Sequence, residues 1–403
     1  MARKKNIIKN KLTKSIPAII AVIIFTALVS IFVFNMNEKT IAHSNVTDFK
    51  IATYSNQNIT QNAIATNLQF RNITFAPVPK NKPILTRQLA SVIDAVKFFA
   101  ASFFTTKPKM EKEYGSWIWT PIFRLTPSYM ESVLSGAEKN RMDTIYISID
   151  SYLDIFVMQE GTEKEIQKEK FENILANFIK RANEKGIAVD AEAGWQNWAE
   201  EGNEYKAFAI LNFVKNFNAN HTEKFRGFQY DVEPYLLETY KNDPATILKN
   251  FLSLIDKSEY FLSKNDLHFS VVIPDFYDKN DKATPKLTYN GKNGYVLDHL
   301  INILDRRKNS SIIVMSYRNF AEGKDGSIEV SKNEMKTAKK NAKNTKIIIA
   351  QETGDFPPPY ITFYGTSQNK LNKETAKIKT AFDSNPNFGG LAIHYVNTFL
   401  ELK

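Results

Sequence analysis

A chain of 403 residues, 43% hydrophobic and 24% charged, is long enough for one large domain with accessories and too apolar to be disordered. Its net charge of +10 first suggests a nucleic-acid partner, but Arg3, Lys4, Lys5, Lys9, Lys11 and Lys14 supply six of those charges, and the +4 left on the remainder argues against one. There is no cysteine, so disulfides are excluded and stability must come from a hydrophobic core.

Residues 1–15 read as a basic cytoplasmic segment. Ile16 to Phe34 follows without a charge for nineteen residues, close to the roughly 20 that cross a bilayer as a helix, which predicts a transmembrane helix over 16–35. A cleaved signal peptide is the alternative; its apolar core is about 7–15 residues, and "NMNEKTIAHS" offers a poor small-x-small cleavage site. The basic cluster stays in the cytoplasm by the positive-inside rule. The expectation is a single-pass protein of the plasma (inner) membrane, with a lipid bilayer as partner and everything beyond the span on the periplasmic or extracellular side. Residues 36–112 are polar, with "APVPKNKP" as an extended interruption, and read as a stalk. Near 85–104 the spacing of Leu89, Val92, Ile93, Val96 and Phe99 predicts an amphipathic helix, and Asp94 and Lys97 argue against a second span.

Over 113–403, β-rich apolar runs alternate with amphipathic Lys/Glu-rich stretches. Eight strands are predicted: Ser116 to Pro121, Asp143 to Asp150, Ile187 to Ala193, Gly227 to Glu233, Leu267 to Asp275, Ser311 to Arg318, Lys346 to Glu352 and Gly389 to Tyr395. Thr126 and Pro127 open a helix in "TPSYMESVLSGAEKN", and Gly186 closes a longer one. Eight βα units over this length predict a (β/α)8 TIM-type barrel. An open doubly wound sheet is the alternative, weakened because no Gly-rich phosphate loop follows the first strand.

In such a barrel the functional residues sit at the C-terminal ends of the strands. Those ends carry Asp150, Asp190 with Glu192, Asp231 with Glu233, Asp275, Tyr317 with Arg318, Glu352, and His394 with Tyr395. Residues two apart share a face, so Asp231 and Glu233 are expected to point into the mouth while Tyr230 and Val232 face the helices. All four tryptophans fall near this face. Trp117 is expected in the core; Trp119, Trp195 and Trp198 are expected to offer flat apolar surface to a sugar ring. Paired carboxyl groups are the usual solution for cleaving a glycosidic bond, with Glu233 as acid and Asp231 raising its affinity for a proton. No His-x-His or Glu-x-x-His spacing suggests a metal, and no organic cofactor is implied.

"GFQYDVE" resembles the fourth-strand signature of family 18 glycoside hydrolases, the chitinase class, which ends Asp-x-Glu with Glu as acid. "MSY" (Met315 to Tyr317) resembles that family's sixth-strand Met-x-Tyr. The resemblance carries over Asp231, Glu233 and Tyr317, and implies a mechanism in which the substrate's own acetamido group attacks, oriented by Asp231 and Tyr317. Arg226 and Gln229 stand where that signature has its first aspartates, Arg318 replaces the aspartate after the tyrosine, and His394 is present without the usual Trp. A second resemblance is to retaining barrel glycosidases with an acid on strand four and a glutamate nucleophile on strand seven, where Glu233 and Glu352 fall. The expected function is hydrolysis of an extracytoplasmic polysaccharide or cell-wall glycan. A non-catalytic glycan-binding barrel is the alternative, and a metal-dependent esterase or deacetylase would need at least two histidines where only His394 is available.

Overall fold

The computed structural model describes residues 112–403. The basic segment, the transmembrane helix, the amphipathic helix and the stalk up to residue 111 lie outside the described residues. Among the described residues no helix is long and apolar enough to cross a membrane.

Eight parallel strands form the centre: β1 (Glu113–Ile118), β2 (Thr144–Ser148), β3 (Ala188–Ala193), β4 (Gly227–Tyr230), β5 (His268–Pro274), β8 (Ser310–Met315), β9 (Lys346–Glu352) and β10 (Phe388–His394). They close a barrel in the order β1-β10-β9-β8-β5-β4-β3-β2. Because β1 pairs with both β2 and β10, the sheet has no edge, and the open doubly wound alternative is excluded. The loop after β5 carries an unexpected hairpin, β6 (Leu287–Tyr289) and β7 (Lys292–Gly294), turning through Asn290 and Gly291 at positive φ. The Asn-Gly pair is its sequence signal.

The helices pack outside and form where the sequence places caps and apolar stripes. Thr126 accepts from the Tyr129 amide to open α1 (Pro127–Lys139), with Pro127 at its first turn. After the short α2 (Tyr152–Phe156), α3 (Thr162–Glu184) buries Phe171, Leu175, Phe178, Ile179 and Ala182 at helical spacing, each large one contributing about 1.5–3 kcal/mol. Next comes α4 (Glu204–Asn220) and the short α5 (Glu238–Asn242); Asp243 then caps α6 (Pro244–Leu262). The remainder are α7 (Val296–Leu304), α8 (Ser327–Val330), α9 (Lys332–Asn341), α10 (Gln368–Phe382) and α11 (Val396–Leu400).

Inside the barrel, Trp117, Tyr146, Val272, Ile313 and Ile348 form a separate apolar layer. Gly115 makes room for it: a Cβ there would lie 2.7 Å from the Tyr146 hydroxyl. Trp117 is core, as expected, and its indole donates to Gln229 at 2.6 Å. This layer separates two polar ends.

Several strand boundaries differ by two or three residues from those expected of the sequence. β1 begins three residues earlier, at Glu113, and β4 stops at Tyr230. Past Tyr230 one more contact survives, the Asp231 amide donating to the Ala193 carbonyl at 3.1 Å, before Pro234, which has no N–H to give. Asp231 and Glu233 therefore lie just above the ladder rather than within it.

Candidate active site

The β3 and β4 tips come together at Gly194, where a Cβ would fall 1.9 Å from the Asp231 carbonyl oxygen; only glycine fits. The Gly194 amide donates to the Asp150 carboxylate at 3.3 and 3.5 Å, so β2 joins the same junction. Alternation does the rest. Tyr230 points outward to Ser258 on α6, its hydroxyl 3.1 Å away, and Val232 packs in the helix-facing core, which leaves Asp231 and Glu233 facing the mouth.

Four carboxyls gather there without a basic side chain bonded to any of them among the described residues. Burial, then the charges of Asp150 and Asp231, hold Glu192 well above the usual carboxylate range. Burial, then Glu233 and Asp150, do the same to Asp231. Asp150 is pushed up to about 7, chiefly by burial. Glu233 is also raised by burial. One Asp231 oxygen and both Glu192 oxygens are buried without a well-formed hydrogen bond, as expected of groups that hold protons rather than charge. Tyr235, absent from the residues expected at the site, donates its hydroxyl to Glu233. Its signal lies in "EPY", a tyrosine just past the proline that ends the strand.

Tyr317, just past β8, stands near Glu352, Asp231 and Glu233; burial and those charges push its phenol well up, so it remains a donor. Glu352, at the tip of β9, is 3% exposed. One of its oxygens accepts from the Thr353 amide at 2.8 Å and the Gly354 amide at 2.5 Å, and the other meets His394 Nδ1 at 2.7 Å. The Trp119 indole donates to His394 Nε2 at 2.9 Å, and the Tyr395 ring meets His394 edge-on.

Other expected residues stand elsewhere or do other work. Asp190 is on the interior face of β3, but at the opposite end of the barrel. Arg226 clasps it through two bonds of 2.9 and 2.6 Å, His268 stands 3.2 Å away, and Arg226 also bonds Glu113 at 3.0 Å. It is not a mouth residue, because two positions along a strand is about 6.6 Å of rise and β3 pairs low on its neighbours. Trp198 is 1% exposed and packs edge-on against Tyr230, so it is core; Trp195 is 50% exposed on the loop after β3. Arg318 bonds Asp325 at 2.8 Å, Asp275 at 3.5 Å and its neighbour's carbonyl, bracing the loop after β8. Asp275, raised by burial, shares that brace. Phe356 and Tyr360, on the loop after β9, are about half exposed and join Trp195 on the rim. The run "DFPPPY" announces them only as a proline-rich loop. Among the described residues no group of three or more His, Asp or Glu has the arrangement of a metal site.

No protein family and no curated protein matches the chain by sequence. Solved structures similar to it include glycoside hydrolases. A family 18 chitinase from Pseudoalteromonas aurantia is 14% identical over 72% of this chain and 97% of that one, with a TM-score of 0.42. An endo-beta-1,4-mannanase from Thermotoga petrophila is 13% identical over 72% of this chain and 68% of that one, at 0.47. A D-psicose 3-epimerase solved with D-fructose is 10% identical over 72% and 89%, at 0.40. At such identities and scores the chemistry has to be read from this chain's own residues.

Proposed function

We propose that the chain is a membrane-anchored glycoside hydrolase acting on a polysaccharide or cell-wall glycan outside the cytoplasm, with Glu233 as acid and base. The observation that carries this reading is the group of four carboxyls, Asp150, Glu192, Asp231 and Glu233, whose environments favour the protonated form at one barrel mouth. A carboxyl whose hold on its proton is strengthened by burial is suited to protonating a departing sugar oxygen. Glu233 gives its proton to the glycosidic oxygen as the bond to the anomeric carbon breaks. It then takes a proton from the water that completes hydrolysis.

The second partner is the substrate's own acetamido group, attacking the anomeric carbon with Asp231 and Tyr317 orienting it. What supports this over direct attack by Glu352 is that both Glu352 oxygens are already engaged. The exposed rings of Trp195, Phe356 and Tyr360 give the rim flat apolar surfaces suited to sugar faces. The N-terminal segments supply the anchor and a stalk that lets the mouth reach polymer away from the bilayer.

The test measures new reducing ends released from chitin, peptidoglycan and bacterial exopolysaccharides by the protein and by Glu233→Gln. Release by the parent alone supports the reading. Binding without release by either moves the assignment to a glycan-binding barrel, and equal release by both removes Glu233 from the chemistry.

A further inference from the structure

We infer that Glu352 is a positioning residue: it fixes His394 as the neutral tautomer protonated on Nδ1, so that Nε2 accepts the Trp119 indole N–H and holds that ring at the mouth. The part of this inference that concerns sugar binding rests on the glycosidase reading. The part that concerns the proton does not.

The assignment follows from what each atom can do. An indole N–H only donates, so His394 Nε2, 2.9 Å from it, must present a lone pair. The imidazole proton then resides on Nδ1, 2.7 Å from a Glu352 oxygen that accepts it. An imidazolium would set two N–H groups head to head at Nε2. The other Glu352 oxygen is held by the Thr353 and Gly354 amides, and the chain wraps closely enough that a Cβ on Gly354 would lie 3.0 Å from it. With three donors on a carboxylate 3% exposed, Glu352 has both oxygens bonded and one lone pair left, on the oxygen already turned to His394.

Four aromatic rings surround His394. Trp117, Trp119, Tyr317 and Tyr395 have ring centroids 5.8, 5.6, 6.1 and 5.3 Å from it. Its charged neighbours are Glu352 from β9 and Glu233 from beyond β4. Trp119 is the partly exposed member of the pair of tryptophans on this side, and its N–H has no other partner among the described residues. The chain Glu352–His394–Trp119 thus ties three neighbouring strands, β9, β10 and β1, into one support for a flat apolar surface beside the carboxyl group cluster. Trp119 is the surface; Glu352 acts on it only through His394.

The full-length protein, labelled with 15N in its histidines, tests this directly, His394 being assigned by comparison with a variant that lacks it. The expected result is a protonated-type Nδ1 resonance and an acceptor-type Nε2 resonance for His394. In Glu352→Gln the backbone amides keep the side-chain oxygen and the new amide group donates toward Nδ1, so the two resonances should exchange character. KM should then rise about tenfold with a smaller fall in kcat, as for a lost binding surface. A reversed tautomer or an imidazolium in the parent overturns the inference. So does a loss of about 1,000-fold or more in kcat of Glu352→Ala that added azide restores with formation of a glycosyl azide, since that marks a nucleophile. If Glu352→Gln does not fold, Trp119→Phe carries the test: Nε2 should shift while Nδ1 stays protonated, and an unmoved Nε2 resonance sinks the assignment. The expected tautomer in a protein that cleaves no glycan would leave the dyad standing and remove only the glycosidase reading.

Discussion

Asp190 and Glu192 are two residues apart on one strand, face the same interior and are both buried, yet they meet opposite fates. Asp190 is clasped by Arg226 with His268 beside it, and the Arg226 charge, with the hydrogen bonds from both, holds it well below the usual carboxylate range against a large opposing effect of burial. Glu192 is driven the other way by burial and by the charges of Asp150 and Asp231, against a smaller pull from the Ser148 hydroxyl. The difference lies in the company rather than in depth. An acidic group buried with a cation braces a barrel; one buried with its own kind stores a proton.

The most damaging change at the mouth should be Glu233→Gln, which keeps shape and removes the transferable proton. The rate should fall by about 100- to 10,000-fold with the melting temperature unchanged. A melting temperature that drops along with the rate would mean that Glu233 braces the fold, as Asp190 does.

At the other end, Arg226→Ala leaves Asp190 and Glu113 buried without their cation, and about 3–5 kcal/mol of stability should be lost in denaturant titrations. A loss below about 1 kcal/mol would dissolve the contrast between the two ends.

Stability against pH sharpens it. Asp190 has a lowered folded pKa, so its contribution is present above the unfolded value and lost only as pH falls through the folded one. Asp190→Asn should therefore melt below the parent at neutral pH and converge with it in strong acid. Glu192 has a raised folded pKa, so its contribution is lost as pH rises through that value. Glu192→Gln should match the parent in mild acid and melt above it in alkali. The same slope for both variants would mean that their surroundings do not differ as described.

The smallest effect is expected at Glu334, a fully buried residue of α9 that burial and Asp278 push up to about 8, with neither oxygen bonded to a partner side chain. Its raised folded pKa means that stability is lost as pH rises through about 8. The advantage of Glu334→Gln should widen by about 2–3 kcal/mol between about pH 6 and about pH 9 in urea titrations. An advantage that does not widen would place Glu334 with the satisfied carboxylates.

Much of this architecture is legible in the amino-acid sequence. Period-2 and period-3.6 patterns locate eight strands and the helices between them, and alternation within "GFQYDVE" orients Asp231 and Glu233 because Tyr230 and Val232 are the residues that a helix-facing side requires. Height along the barrel is not legible. Asp190 and Glu192 share a face in the sequence, but which lies at the mouth depends on how β3 is staggered against β2 and β4, and that stagger is set by closure of the whole sheet. Trp198 departs from expectation for a related reason: the loop after β3 turns back at once, carrying one tryptophan into the core while leaving Trp195 outside.

The sequence by itself determined the class of architecture and the acidic character of the strand ends, since both follow from local periodicity and residue type. Only the tertiary structure decided which acids keep protons and which are charge-paired, that Glu352 points at His394 with its oxygens already bonded, and that Arg226 meets Asp190 and Glu113. Those outcomes depend on distances between strands far apart in the chain, where a few ångströms decide between a partner and a repelling neighbour.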